Sequence, residues 1–146
     1  MLHVEHATIP IDVLEEMIAL GGSYKTEFHE SIPPTIDLVK TIGALANSKG
    51  GSIFLGISSK GETVDLGDKY AFLARIEEAI DLLTPRPTVQ VQAIYFKNRE
   101  IILIKVLEGD SKPYLMQGAE GPIAFVRSGE GNVQASRREL RHLWGR

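Results

Sequence analysis

Two groups of residues in this chain have the types and spacing to hold phosphate. Asn47-Ser48-Lys49-Gly50-Gly51 closes an apolar run with adjacent glycines, whose backbone N–H groups can cradle an anion. Arg137, Arg138, Arg141, His142 and Arg146 crowd the last ten residues, with Trp144 beside them. Cations next to an indole suit phosphate contacts combined with base stacking. Lys25 and Arg127 are further candidates for phosphate binding, and the guanidinium fork of Arg127 suits that role.

Each of these has a plainer use. The Asn47–Gly51 stretch follows a helix and precedes a strand, the reverse of a P-loop, so the negative end of the helix dipole faces it. No Gly-x-x-x-x-Gly-Lys-Ser/Thr occurs, so an ATPase is not expected. Helix termination and close packing are the favoured use of the glycines. Arg127 can anchor a loop by pairing with an acid. The C-terminal arginines can face water while Leu140, Leu143 and Trp144 pack on the body.

Catalytic chemistry has one weak candidate, Glu27, which can also be a structural carboxylate at a strand end or a partner of Lys25. His3 and His6 have a metal-like spacing without companion ligands, so no metal site is expected. No Ser-His-Asp order or nucleophile elbow is present. No cofactor is expected.

The elements that must position these residues follow from periodicity and punctuation. Residues 11–20 read as a helix ended by Gly21-Gly22, and residues 24–28 as a strand. Pro33-Pro34 forces a loop, after which Thr35 is the expected N-cap of a helix running to Asn47. Its expected apolar side holds Ile36, Val39, Ile42 or Gly43, and Ala46, with small residues for close packing on a sheet. Residues 52–57 are nearly all apolar, as in a strand buried on both faces. A weaker strand is expected at residues 62–65.

Leu73, Ile76, Ile80 and Leu83 keep helical spacing from a cap at Asp68 to a stop at Pro85. Val89, Val91, Ala93 and Tyr95 alternate, and residues 101–107 are largely apolar, which predicts a hairpin with the second strand more central. Residues 108–121 read as loop, 123–127 as strand and 128–132 as turn. Ser136 and Glu139 form a capping box for a last helix. This order predicts an α+β fold, one domain over residues 1–146 with a mixed β-sheet flanked by helices, residues 1–10 forming a flexible segment.

Taken in order, these pieces resemble the Schlafen-type AlbA domain, formerly called the divergent AAA domain. The resemblance rests on the Gly-rich turn at residues 20–23 and on Glu27-Phe28-His29, which stands where the family has Glu-Phe-Lys. It continues through Ala44, Asn47, Gly50, Gly51 and Gly56, then Pro85, Pro113-Tyr114, Val126-Arg127-Ser128-Gly129 and Ala135-Ser136. It implies a nucleic-acid-binding or ATP-binding module of the kind often fused to a winged-helix regulator. In the eukaryotic Schlafen branch, paired domains form an RNA-binding and RNA-cleaving core. Members with nuclease activity carry acids at three places, which correspond here to Gly22, Glu27 and Ser58-Ser59. One carboxylate of three is a poor site for a divalent cation, so catalysis is not the expectation.

Charge and composition narrow the rest. Formal net charge is −3, but residues 1–84 hold six Lys/Arg against thirteen Asp/Glu, and residues 85–146 hold ten against six. A basic half can present a phosphate-binding face on an acidic protein. The absence of cysteine excludes disulfides and thiolate metal sites. No run approaches the roughly 18 apolar residues of a membrane span, and no signal-peptide pattern opens the chain, so a cytoplasmic protein without membrane contact is expected. The functional expectation is a regulatory, non-catalytic nucleic-acid-binding module, DNA or RNA, acting as a homodimer. Its alternatives are a degenerate metal-dependent nuclease and a protein-interaction or oligomerisation domain.

Overall fold

The apolar run after Gly50-Gly51 lies inside a five-stranded sheet. The computed structural model describes residues 2–145. In chain order these form β1 (Val4–Ala7), α1 (Ile11–Leu20), β2 (Thr26–His29), α2 (Thr35–Asn47), β3 (Gly51–Leu55), α3 (Lys69–Asp81), β4 (Val89–Phe96), β5 (Arg99–Val106), β6 (Leu115–Gly118), β7 (Gly121–Ser128), β8 (Gly131–Gln134) and α4 (Arg137–Trp144). The large sheet has the order β1-β4-β5-β3-β2, parallel at both edges and antiparallel within. β6, β7 and β8 form a separate antiparallel sheet. The fold is α+β with a mixed sheet flanked by helices.

Strand alternation sends side chains to two cores. Ile53, Leu55, Ile102 and Ile104 meet Leu38, Ile42 and Leu45 of α2 and Ile76 and Ile80 of α3. Phe54, Ile94, Ile101 and Leu103 point the other way, onto Leu14 of α1. All of these side chains are almost fully removed from water. Each contributes about 1.5–3 kcal/mol of transfer free energy, so the alternation dictates the register.

α2 is sandwiched between the two sheets, with β7 packed on the side away from the large sheet. Residues 41–47 are therefore buried all round, which explains Gly43, Ala44 and Ala46. Ile36, expected on the apolar side, lies before this sandwich and is exposed.

Several local expectations change. Thr35 is the first helical residue rather than the cap, and Pro34 holds the cap position without a side-chain hydrogen bond. Residues 62–65 form no strand; only Thr63 bridges to Ile57. β6 lies in the expected loop at 108–121, and β8 begins inside the expected turn at 128–132. Residues 4–7, within the segment expected to be flexible, form β1 beside β4. Among the described residues no helix is long and apolar enough to cross a membrane.

Candidate functional site

Arg127 is the hub of the polar interior. Its side chain is 0% exposed. β7 carries it under the turn that precedes β2, where Nε donates to the Tyr24 carbonyl at 3.0 Å and Nη2 donates to the Ser23 carbonyl. Nη1 donates to Asn132 Oδ1 at 2.8 Å and to the Glu27 carboxylate. Glu27 thus pairs with Arg127 and His29, not with Lys25. Each nitrogen of the guanidinium has a protein partner, so Arg127 positions other groups.

Asn47 makes a second buried joint. Its Nδ2 donates to the carbonyls of Tyr114 and Phe125, each at 3.0 Å, and its Oδ1 accepts from the Tyr114 N–H at 2.7 Å. Ser48 Oγ accepts from the Arg127 N–H at 3.1 Å. The last residues of α2 therefore hold β7 and the start of β6. Gly50 takes φ +73°, and a Cβ on Gly51 would lie 2.3 Å from the Lys25 carbonyl. That carbonyl accepts the Ser52 N–H that begins the β2–β3 ladder. Both glycines serve the junction: one supplies the left-handed turn, the other lets β2 pass close.

These joints shape the walls of one cleft of about 450 Å³. Tyr24 stands at its side, and Lys49, Lys112, Arg138 and His142 line it over a floor that includes Val126 and Leu143. Lys49, Arg138 and His142 are exposed. The Lys112 side chain is 3% exposed, with Nζ donating to the Ser48 carbonyl at 3.1 Å and to Glu108 at 2.8 Å. The last wall is α4. Ser136 Oγ accepts from the Glu139 N–H at 3.1 Å, and Glu139 Oε1 accepts from the Ser136 N–H at 2.9 Å, completing the expected capping box.

Of the residues singled out from the sequence, Asn47, Lys49, Arg127 and Arg138 line this cleft. Lys25, Gly50, Gly51, Arg137 and Arg141 do not. Trp144, expected to pack on the body with Leu143, is 68% exposed, while Leu143 is buried. At 100° per residue Trp144 lies about 140° around α4 from the midpoint of Arg138 and His142. Tyr24 and Lys112 were not among the candidates for phosphate contact that the sequence offers. They come from segments far apart in sequence, and no local spacing ties them together.

Comparison with known families decides the chain's membership. The family model described as Schlafen, AlbA_2 matches residues 23–136. The chain belongs to the Schlafen AlbA_2 family. A search of curated proteins found no match. Among solved structures, the DIP2311 protein from Corynebacterium diphtheriae is similar with a TM-score of 0.58 and 16% identity, over 90% of this chain and 31% of that one. This chain therefore spans about a third of the Corynebacterium protein. The N-terminal domain of a Nitrosomonas europaea protein, described as ATP-dependent DNA helicase RecG-related, is similar with a TM-score of 0.57 and 22% identity, over 87% of this chain and 91% of that domain. At these identities the two structures establish a shared fold.

In this AlbA_2 domain, Gly22, Glu27, His29, Ser59 and Glu130 line a second, smaller cleft of about 370 Å³. A Cβ on Gly22 would lie 3.5 Å from the Glu130 carboxyl, so Glu130 stands beside the position that lacks an acid. Among the described residues no group of three or more His, Cys, Asp or Glu is placed to hold a metal ion. Glu27 itself is engaged by Arg127, by His29 Nε2 at 2.8 Å and by Thr41 Oγ1 at 3.4 Å.

Burial works to raise the Glu27 pKa, but hydrogen bonds with His29 and Arg127, reinforced by their charges, hold it below its ordinary value. A depressed folded pKa contributes stability above the unfolded value, lost as pH falls through the folded one. The stability difference between the parent and Glu27→Gln, measured by urea unfolding, should be widest near neutrality and shrink below about pH 4.5. A difference constant from neutral to acid pH would remove Glu27 from the acid limb.

Proposed function

We propose that this AlbA_2 domain is a non-catalytic nucleic-acid-binding module whose phosphate-contacting surface is the cleft beside α4. One observation carries the reading. Lys49 from the α2–β3 turn and Arg138 from α4 present exposed charges to one concavity, which His142 and Glu139 also line and whose wall Lys112 braces through Glu108 and the Ser48 carbonyl. The joints at Arg127 and Asn47 hold its walls. An overall negative chain that gathers cations in one place resembles a phosphate site more than a solvated face. Family membership supports the reading, as does the shared fold with a domain of a RecG-related protein. The engagement of Glu27 by Arg127 supports the non-catalytic part.

Fluorescence polarisation with short single- and double-stranded RNA and DNA tests the proposal. Binding should weaken steeply with salt, each lost phosphate contact reducing the slope of log K against log[salt] by about 0.7–0.9. Lys49→Ala with Arg138→Ala should therefore lower the slope by roughly 1.5. Both side chains are exposed, so the double variant should melt like the parent. No salt-sensitive binding at micromolar protein, or an unchanged slope in the double variant, would refute the assignment.

A further inference from the structure

We infer that the cleft receives an unpaired nucleotide, its base stacked on Tyr24 and its flanking phosphates held by Lys49 and Arg138. The inference rests on the nucleic-acid reading above and names the form of nucleic acid that the cleft selects.

Tyr24 is 40% exposed although the turn that carries it is tied to the buried Arg127. Its carbonyl accepts from Arg127 Nε, and the preceding Ser23 carbonyl accepts from Arg127 Nη2. Ser23 N–H also donates to the Thr26 carbonyl at 2.9 Å, closing the turn against the start of β2. With the turn held, only the two side-chain torsions of the ring remain to be ordered when a base stacks on it, which keeps the entropic cost of stacking small. α4 contributes Arg138, Glu139 and His142 to the same cleft, and the buried Val126 and Leu143 add apolar lining.

Size and shape then select the ligand. A cleft of about 450 Å³ holds one base with its sugar. Bases inside a duplex have their faces covered by their neighbours and offer only edges along a groove. An unpaired base offers a face, which is what an exposed ring can use, and every base has one. Phosphates on either side of it fall to the exposed cations at the rim. Trp144 belongs to another side of α4 and takes no part.

Polarisation titrations should compare single strands, as RNA and as DNA, with duplexes of the same sequence. The single strand should bind more tightly than its duplex in at least one of the two chemistries. Tyr24→Ala should weaken single-strand binding roughly 5- to 150-fold and leave the salt slope unchanged, because a stacking contact releases no counterions. Tyr24→Phe should retain binding. An aminopurine-labelled strand should lose fluorescence on binding the parent and the Phe variant, but not the Ala variant. The Tyr24 side chain is exposed and its anchoring bonds are made by the main chain, so thermal melts of both variants should match the parent.

Single-strand binding unchanged in Tyr24→Ala, or duplex bound as tightly as single strand in both chemistries, would overturn the inference. If Lys49→Ala with Arg138→Ala still lowered the salt slope in that case, the cleft would stand as a phosphate site without the stack. Failure of every oligonucleotide to bind would overturn the broader reading together with this one.

Discussion

Arg127→Met is expected to destabilise the domain by about 3–5 kcal/mol, out of a total of about 5–15 kcal/mol. The melting temperature should fall by roughly 10–15 °C. The substitution nearly preserves volume, so the loss is not a packing effect. It leaves the Glu27 carboxylate half-buried without its cation, and strips a donor from the Ser23 and Tyr24 carbonyls and from Asn132. Breaking one side of a buried pair costs more than replacing both sides, because the partner's charge stays behind. Glu27→Gln with Arg127→Met should therefore cost less than the sum of the two single changes, by more than about 1 kcal/mol. Arg127→Lys should fall between parent and Arg127→Met, since an ammonium keeps the charge but cannot reach carbonyls, carboxylate and amide from one plane. Denaturant melts of the parent and the four variants decide it. A loss under about 1 kcal/mol in Arg127→Met would mean the network contributes geometry without stability.

That network shows what is legible in the sequence and what is not. Arg127 interrupts the apolar run that begins at Ile123, so a buried or binding guanidinium was foreseeable. Its partner was not, because Glu27 lies 100 positions away and no local spacing ties the two together. Elements with strong local patterns were legible for physical reasons. Ile76 and Ile80 of α3, and Val91 and Ala93 of β4, face the core and had to keep the period of their element. β1 and β8 were not, since Val4-Glu5-His6-Ala7 and Gly131-Asn132-Val133-Gln134 hold too little apolar alternation; neighbouring strands make them. The same limit hid the cleft. Its cations and Tyr24 sit on three loops or turns and one helix, and a site assembled by tertiary structure leaves no spacing to read.

Asn47→Ala is the second large loss, expected at about 3–5 kcal/mol. The residue is buried, and its amide bonds main-chain groups 67 and 78 positions away. A hydrogen bond contributes about 1 kcal/mol net, but a buried donor or acceptor left without a partner costs about 1–3 kcal/mol. Truncation removes three bonds at once. Asn47→Asp distinguishes hydrogen bonding from mere filling of space. One oxygen can still accept from the Tyr114 N–H, but the other then faces the carbonyls of Tyr114 and Phe125, which need donors. At neutral pH this variant should be no more stable than Asn47→Ala despite its nearly native volume. Burial beside two carbonyls favours the protonated acid, so the penalty should shrink as pH falls. Because Ser48 and Lys49 follow directly and Lys112 bonds the Ser48 carbonyl, loosening this joint should also splay the cleft. Under conditions where Asn47→Ala is still folded, it should bind oligonucleotide more weakly than the parent. Parent-like binding would show that the cleft walls hold without the joint.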